Sequence, residues 1–189
     1  KVDINFINAL LDDLTSEARV TCLLKAKPEV VSLLWLAVEI GHANVINALL
    51  EGLGTDDRKR FLFEAVVKGQ TCLHFAATKS QVRIITELLE CLPEKDRKEY
   101  LCKQDNTGST PLHIAAYLGD SNSINALIDT IIPEERKDCI HMVDKDGNTP
   151  LHFAAWNGQA DVINALLDKL TEEEQKDYMH MKDKDGATP

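Results

Sequence analysis

The sequence predicts an all-α solenoid of stacked helix-turn-helix units with hairpin-like turns, and three observations carry that prediction. First, "TPLHIAAYLGD" begins at Thr110 and "TPLHFAAWNGQ" at Thr149, 39 residues later; the same step backwards gives "TCLHFAATKSQ" at Thr71 and "SLLWLAVEIGH" at Ser32. Second, another marker keeps the step: "INALL" at Ile7 and Ile46, "ITELL" at Ile85, "INALI" at Ile124 and "INALL" at Ile163. Third, each marker opens an apolar stripe at i, i+3, i+4 and i+7, as in Ile124, Leu127, Ile128 and Ile131, which is one face of an amphipathic helix. Self-similarity at a fixed period of this size marks a stack of repeats, because one such unit cannot bury its apolar face alone.

The copy from Asp105 to Val143 shows how each element arises. "DNTGST" places Asn106, Gly108 and Ser109, all turn residues, ahead of a helix. Pro111 suits a first helical position, since its φ is already helical and its missing N–H has no intrahelical partner there. The short first helix runs to about Leu118, where Gly119 can take positive φ and end it. The Ile124 stripe then forms the second helix. What remains is typified by "LTEEEQKDYMHMKDKDG" from Leu170 to Gly186. Thr171 with Glu174 reads as a capping box, and Pro93 and Pro133 fit first-turn positions, so each repeat carries an extra short helix or an extended loop. Its inner side is formed by the pairs Cys22/Leu23, Phe61/Leu62, Tyr100/Leu101, Cys139/Ile140 and Tyr178/Met179.

Composition narrows the function. A hydrophobic content of 44% supports a sizeable core. The net charge of −10 opposes the phosphate neutralisation on which nucleic-acid affinity rests, so no nucleic-acid partner is expected. Five cysteines, an odd number with no CxxC pair, make neither a disulfide framework nor a zinc site and point to a reduced, intracellular and cytoplasmic setting. The apolar run from Val30 to Val38 is too short to cross a bilayer, so no membrane insertion is expected, and the chain is expected to be a monomer. Lys1 is not an initiator Met, which fits a piece excised from a longer protein.

The chemical candidates resolve into structure. The six histidines all fall on repeat-related positions, with no Cys or second His at ligand spacing, so they read as polar contacts and not as metal ligands. Cys72 beside His74 at a helix start has no orienting third group, so no nucleophilic dyad is expected. "DKDG" at Asp144 and Asp183 lacks the closing Glu of a calcium loop and reads as a turn. The runs Glu134-Glu135 and Glu172 to Glu174 are acidic helix starts favoured by the dipole. No catalytic residue, cofactor or metal is expected, and the segment is not expected to be an enzyme.

The turn, "TPLHxAA", the helix-ending Gly and "I..LL" together resemble the ankyrin repeat across essentially the whole chain. The usual ankyrin period is about 33 residues, and the additional ones fall between "INALL" and the next turn. The resemblance implies one ankyrin repeat domain over 1–189: an N-terminal partial or capping unit at 1–31, repeats at 32–70, 71–109, 110–148 and 149–187, and the start of a further motif at 188–189. It departs from the pattern at Trp35, which replaces the motif His, in "KAKPEVVS", which lacks the turn's Asp and Gly, and at Val66 and Cys72, which replace Asp and Pro. It also implies that His74, His113 and His152 hydrogen-bond within the turn and helix start and tie neighbouring repeats together. The implied function is recognition of a protein partner by the concave face; the alternative is a substrate-recruiting or scaffolding arm of a larger protein whose catalytic domain lies elsewhere. The contact positions so implied are Lys68, Gln70, Asn106, Thr107, Ser109, Lys145, Asp146 and Asn148 at the turn tips, and Glu39, Thr78, Lys79, Tyr117, Leu118, Trp156 and Asn157 on the first helices. Tyr117 and Trp156 share one repeat position and are expected side by side. The period also resembles arrays that intracellular bacteria deliver into host cells, which would make host cytosol the location.

Overall fold

The computed structural model describes residues 29–189 apart from Gly52 and Ala65. The predicted unit at 1–31 lies almost wholly outside them, as do the stripe from Ile7 and the pair Cys22/Leu23. Twelve helices are described, and they fall into three classes that recur at the sequence period. The first helices are α1 (Glu29–Ile40), α4 (Cys72–Thr78), α7 (Pro111–Leu118) and α10 (Pro150–Trp156). The second helices are α2 (Ala43–Leu50), α5 (Val82–Glu90), α8 (Ser121–Asp129) and α11 (Ala160–Leu167). The third are α3 (Thr55–Glu64), α6 (Glu94–Leu101), α9 (Pro133–Ile140) and α12 (Glu172–Met179). Of the two outcomes left open for the additional residues, every described repeat takes the helix.

Each class packs on its own kind in the next repeat. First helices pack on first (α1 on α4, α4 on α7, α7 on α10), second on second (α2, α5, α8, α11 in turn), and third on third (α6 on α9). The stripe residues Ile46, Leu49, Ile85, Leu88, Leu89, Ile124, Leu127, Ile128 and Leu166 are buried between them in one continuous core. Removing a large aliphatic side chain from water contributes about 1.5–3 kcal/mol, so the stripes dominate the fold's stability. Ile163 and Leu167 of the last described stripe are only partly covered.

The third helices close one flank. Phe61, Leu62, Tyr100, Leu101, Cys139, Ile140 and Tyr178 turn inward as their sequence position requires, whereas Met179 is exposed. Thr171 and Glu174 form the capping box, Pro133 is at the first helical position, and Pro93 stands one residue earlier, as the N-cap of α6. Arginines at one repeat position hold the segment just past the preceding second helix: Arg58 Nε donates to the Leu53 carbonyl at 3.0 Å, Arg97 Nε to Leu92 at 3.2 Å and Arg136 Nε to Ile131 at 3.1 Å. Lysines at the next position reach the following repeat, as in Lys59 to Asp96 at 2.7 Å and Lys98 to Asp138 at 2.5 Å. These pairs are solvated and contribute little each.

One turn differs from the others. Where Val66 stands in place of Asp, residues 66–71 make a two-stranded hairpin, β1 (Val66–Val67) with β2 (Gln70–Thr71), pairing Val66 with Thr71 and Val67 with Gln70. Its two-residue loop puts Lys68 at φ 53° and Gly69 at φ 81°, the positive φ at both central positions that a type I′ turn requires.

Candidate functional site

Each later turn is built around one aspartate. Asp105 Oδ1 accepts the Thr107 N–H at 2.8 Å and the Ser109 N–H at 3.1 Å, while the Asp105 N–H donates to the Ser109 carbonyl at 2.9 Å. Asp144 repeats this with the Asp146 and Asn148 N–H groups at 2.8 and 2.9 Å, and Asp183 with those of Asp185 and Ala187 at 2.9 and 2.8 Å. Partial burial pushes the Asp105 carboxyl up, but the donors from Thr107, Gln70 and Ser109 outweigh it and hold the group below the usual carboxylate range. Successive turns are also joined, the Lys145 N–H donating to the Thr107 carbonyl at 3.1 Å and the Lys184 N–H to Asp146 at 2.9 Å. Gly108 sits at φ 83°, and a Cβ there would meet Lys145 N at 2.6 Å, so both the dihedral and the neighbouring turn demand glycine.

The motif histidine ties each turn to the next. His113 Nδ1 accepts the Thr110 N–H at 3.1 Å, and its Nε2 lies 3.0 Å from the Asn148 carbonyl of the next turn. His74 makes the same contacts with Thr71 and Ser109, and His152 with Thr149 and Ala187. An N–H facing Nδ1 and a carbonyl facing Nε2 fix the neutral ring with its proton on Nε2. Burial pushes the His113 pKa down to about 4 and lowers that of His74. The polar-contact role read from the sequence is the one these rings play.

The turn tips and first helices share one face. Trp156 is 84% exposed, Tyr117 59% and Leu118 45%. Glu39, Lys68, Thr78, Lys79, Asn106, Thr107, Lys145, Asp146 and Asn157 are exposed as well. Gln70, Ser109 and Asn148 are half-buried, and all three bond the turn aspartates: Gln70 Nε2 donates to Asp105 at 3.3 Å and Asn148 Nδ2 to Asp144 at 3.4 Å. Several exposed contact residues also hold local partners: the Lys79 ammonium lies 5.3 Å from the Phe75 ring centre, Thr78 Oγ1 donates to the His74 carbonyl at 2.9 Å, Lys145 Nζ to the Asn106 carbonyl at 2.8 Å and Asn157 Nδ2 to the Tyr117 carbonyl at 3.2 Å. Tyr117 and Trp156 stand on adjacent helices, yet Tyr117 leans edge-on against Phe153, 6.0 Å between ring centres, and not on Trp156.

Between α4, α7 and α10 lies a cleft of about 370 Å³ walled by Ile114, Tyr117, Leu118 and Phe153, with Thr78 and the Asp105 turn at its rim. Its counterpart one repeat on, about 420 Å³, includes Trp156, His152 and Ala155. Ile114 and Phe153 are absent from the contact positions expected from the sequence. Their signal was the column Leu36, Phe75, Ile114, Phe153, apolar in every copy.

Helical hairpins stacked at a constant period, with their turns stitched by aspartate and histidine, define a solenoid repeat protein. The family model for ankyrin repeats (3 copies) matches residues 34–137 and 98–179, most of the chain, which therefore belongs to the ankyrin-repeat family. Ankyrin repeats are generally protein-protein interaction modules and typically not catalytic. Among curated proteins none matches significantly. No described helix is long and apolar enough to cross a membrane.

Proposed function

We propose that the chain recognises a protein partner through the face made by its turn tips and first helices, with Trp156 and Tyr117 as the anchoring side chains. The supporting observation is that Trp156, 84% exposed, lines a cleft one repeat on from the largely apolar one bounded by Tyr117 and Leu118. A large ring left in water forfeits the burial that a core would give it, and Trp and Tyr lead the residues that dominate interfaces. Exposed charge of both signs on the turn tips and first helices, from Lys68, Lys145, Asp146 and Glu39, suits the polar surround of such anchors.

The test is affinity capture with the full chain, identification of the retained protein by mass spectrometry, and titration of that partner with Trp156→Ala. Loss of a central aromatic anchor weakens binding by about 1–3 kcal/mol, while the melting temperature hardly moves because the ring is exposed. A large fall in melting temperature with unchanged affinity assigns the ring to the fold and refutes the reading.

A further inference from the structure

At three junctions between successive third helices, one slot is filled by the same two repeat positions but with different chemistry. Phe63 meets Tyr100 with ring centres 5.1 Å apart, and His141 stacks on Tyr178 at 4.6 Å and 9°. At the interface between them, where α6 packs on α9, the slot holds two thiols, Cys102 and Cys139, with Sγ atoms 3.1 Å apart. Both are unpaired cysteines. We propose that Cys102 and Cys139 form a reversible disulfide latch that cross-links the 71–109 and 110–148 repeats under hydroperoxide stress.

The geometry supplies what the reaction needs. The sulfurs already touch, so forming an S–S bond of about 2.05 Å closes roughly 1 Å, within reach of side-chain rotation and a small shift of α6 on α9. Cys102, just past the end of α6, is half-buried and open to a small oxidant, whereas Cys139 is buried behind it. In the neutral pair the Cys102 S–H donates to Cys139 Sγ. Once one proton leaves, the remaining one sits on Cys139 and donates back to the Cys102 thiolate. That bond and the Lys98 charge lower the Cys102 pKa, while the same bond and burial raise that of Cys139. Cys102 is thus the attacking thiolate and Cys139 the resolving thiol. Burial pushes Cys91 up to about 12 and Cys72 higher still, which keeps both as unreactive thiols.

The chemistry balances. The Cys102 thiolate attacks one oxygen of hydrogen peroxide, the O–O bond breaks, hydroxide leaves, and Cys102 becomes a sulfenic acid. Cys139 then attacks the Cys102 sulfur; the S–S bond forms, the S–O bond breaks, and the departing hydroxide takes the Cys139 proton as water. Two thiols are oxidised and one peroxide is reduced to two waters. A dithiol reductant reverses the link.

The test treats the full chain with hydrogen peroxide, alkylates the remaining thiols, digests with trypsin and maps the cross-link by mass spectrometry. The expected product joins the peptide 99–103 to the peptide 138–145, three of the five thiols staying alkylatable. The oxidised monomer should melt roughly 5 °C or more above the reduced one, because the link closes a loop of more than thirty residues. Cys139→Ser should leave a Cys102 sulfenic acid that dimedone traps, and Cys102→Ser should stop peroxide consumption at Cys139. Cross-links that go instead to Cys91, to Cys22 or between molecules overturn the proposal, as does oxidation of wild-type Cys102 to the sulfinic acid without a link.

Discussion

Acidification should loosen the stack through its motif histidines, and His113 gives the size of the effect. The ring is buried, which disfavours its charged form, and its Nδ1 faces the Thr110 N–H at 3.1 Å, so a proton on that nitrogen would also set donor against donor. The folded pKa is therefore depressed, from 6.5 to about 4. A depressed histidine pKa means that the unfolded chain takes up the proton first, so stability is full at neutral pH and is lost as pH falls from about 6.5 towards about 4. At pH 5 the linkage relation gives a loss of about 2 kcal/mol from this one ring, against about 0.2 kcal/mol at pH 7. Urea unfolding followed by circular dichroism at the two pH values, on wild type and His113→Gln, isolates it: glutamine does not titrate, so the variant should lose about 2 kcal/mol less on acidification. The carboxylates titrate alike in both chains and cancel in the difference. An NMR titration of the His113 ring with its midpoint near 6.5, or an equal acid loss in the two chains, refutes the reasoning.

Other substitutions probe the frame separately. Gly108→Ala must place a Cβ at φ 83° and 2.6 Å from Lys145 N, and should destabilise by about 1–3 kcal/mol in chemical denaturation. Leu127→Ala empties a fully buried stripe position and should cost about 2–5 kcal/mol in the same measurement. Tyr178→Phe removes the hydroxyl that accepts the buried Leu151 N–H at 3.1 Å, a loss of about 1–3 kcal/mol that hydrogen exchange should report as faster exchange at Leu151. Lys98→Ala breaks a solvated ion pair to Asp138 and should change stability by less than about 1 kcal/mol.

The second helices were the most legible elements, because a stripe such as Ile124, Leu127, Ile128 and Ile131 has only one helical face to bury. First helices are different. "PLHIAAYL" is apolar nearly all round, since one side meets the second helix and two others meet the neighbouring repeats. Periodicity within it therefore does not reveal that Ile114 and Phe153 wall a cleft; only the column across repeats does. The hairpin at 66–71 was hidden for another reason. Lacking the turn aspartate, it relies on positive φ at Lys68 and Gly69, and Gln70 reaches forward to the next repeat's Asp105. The thiol pair was illegible to a search for CxxC, because contact between stacked units appears as an offset two short of the period. The same offset relates Phe63 to Tyr100 and His141 to Tyr178.

Frame and face are separable here because nearly every polar group of the turns is already used by its neighbours. The Asp105 carboxylate is satisfied by backbone and side-chain donors of its own turn and by Gln70, and the His113 ring by Thr110 on one side and Asn148 on the other. A partner of the proposed kind would meet turns that are already ordered, so little binding energy would go into arranging them. The cost of that order is paid locally, one repeat at a time, since each tie reaches only the next unit. Side chains that the frame leaves out, Trp156 above all, can then change identity without disturbing the stack. The same nearest-neighbour logic gives the thiol latch its character, because a bond between α6 and α9 fixes one junction while the junctions on either side keep their aromatic contacts.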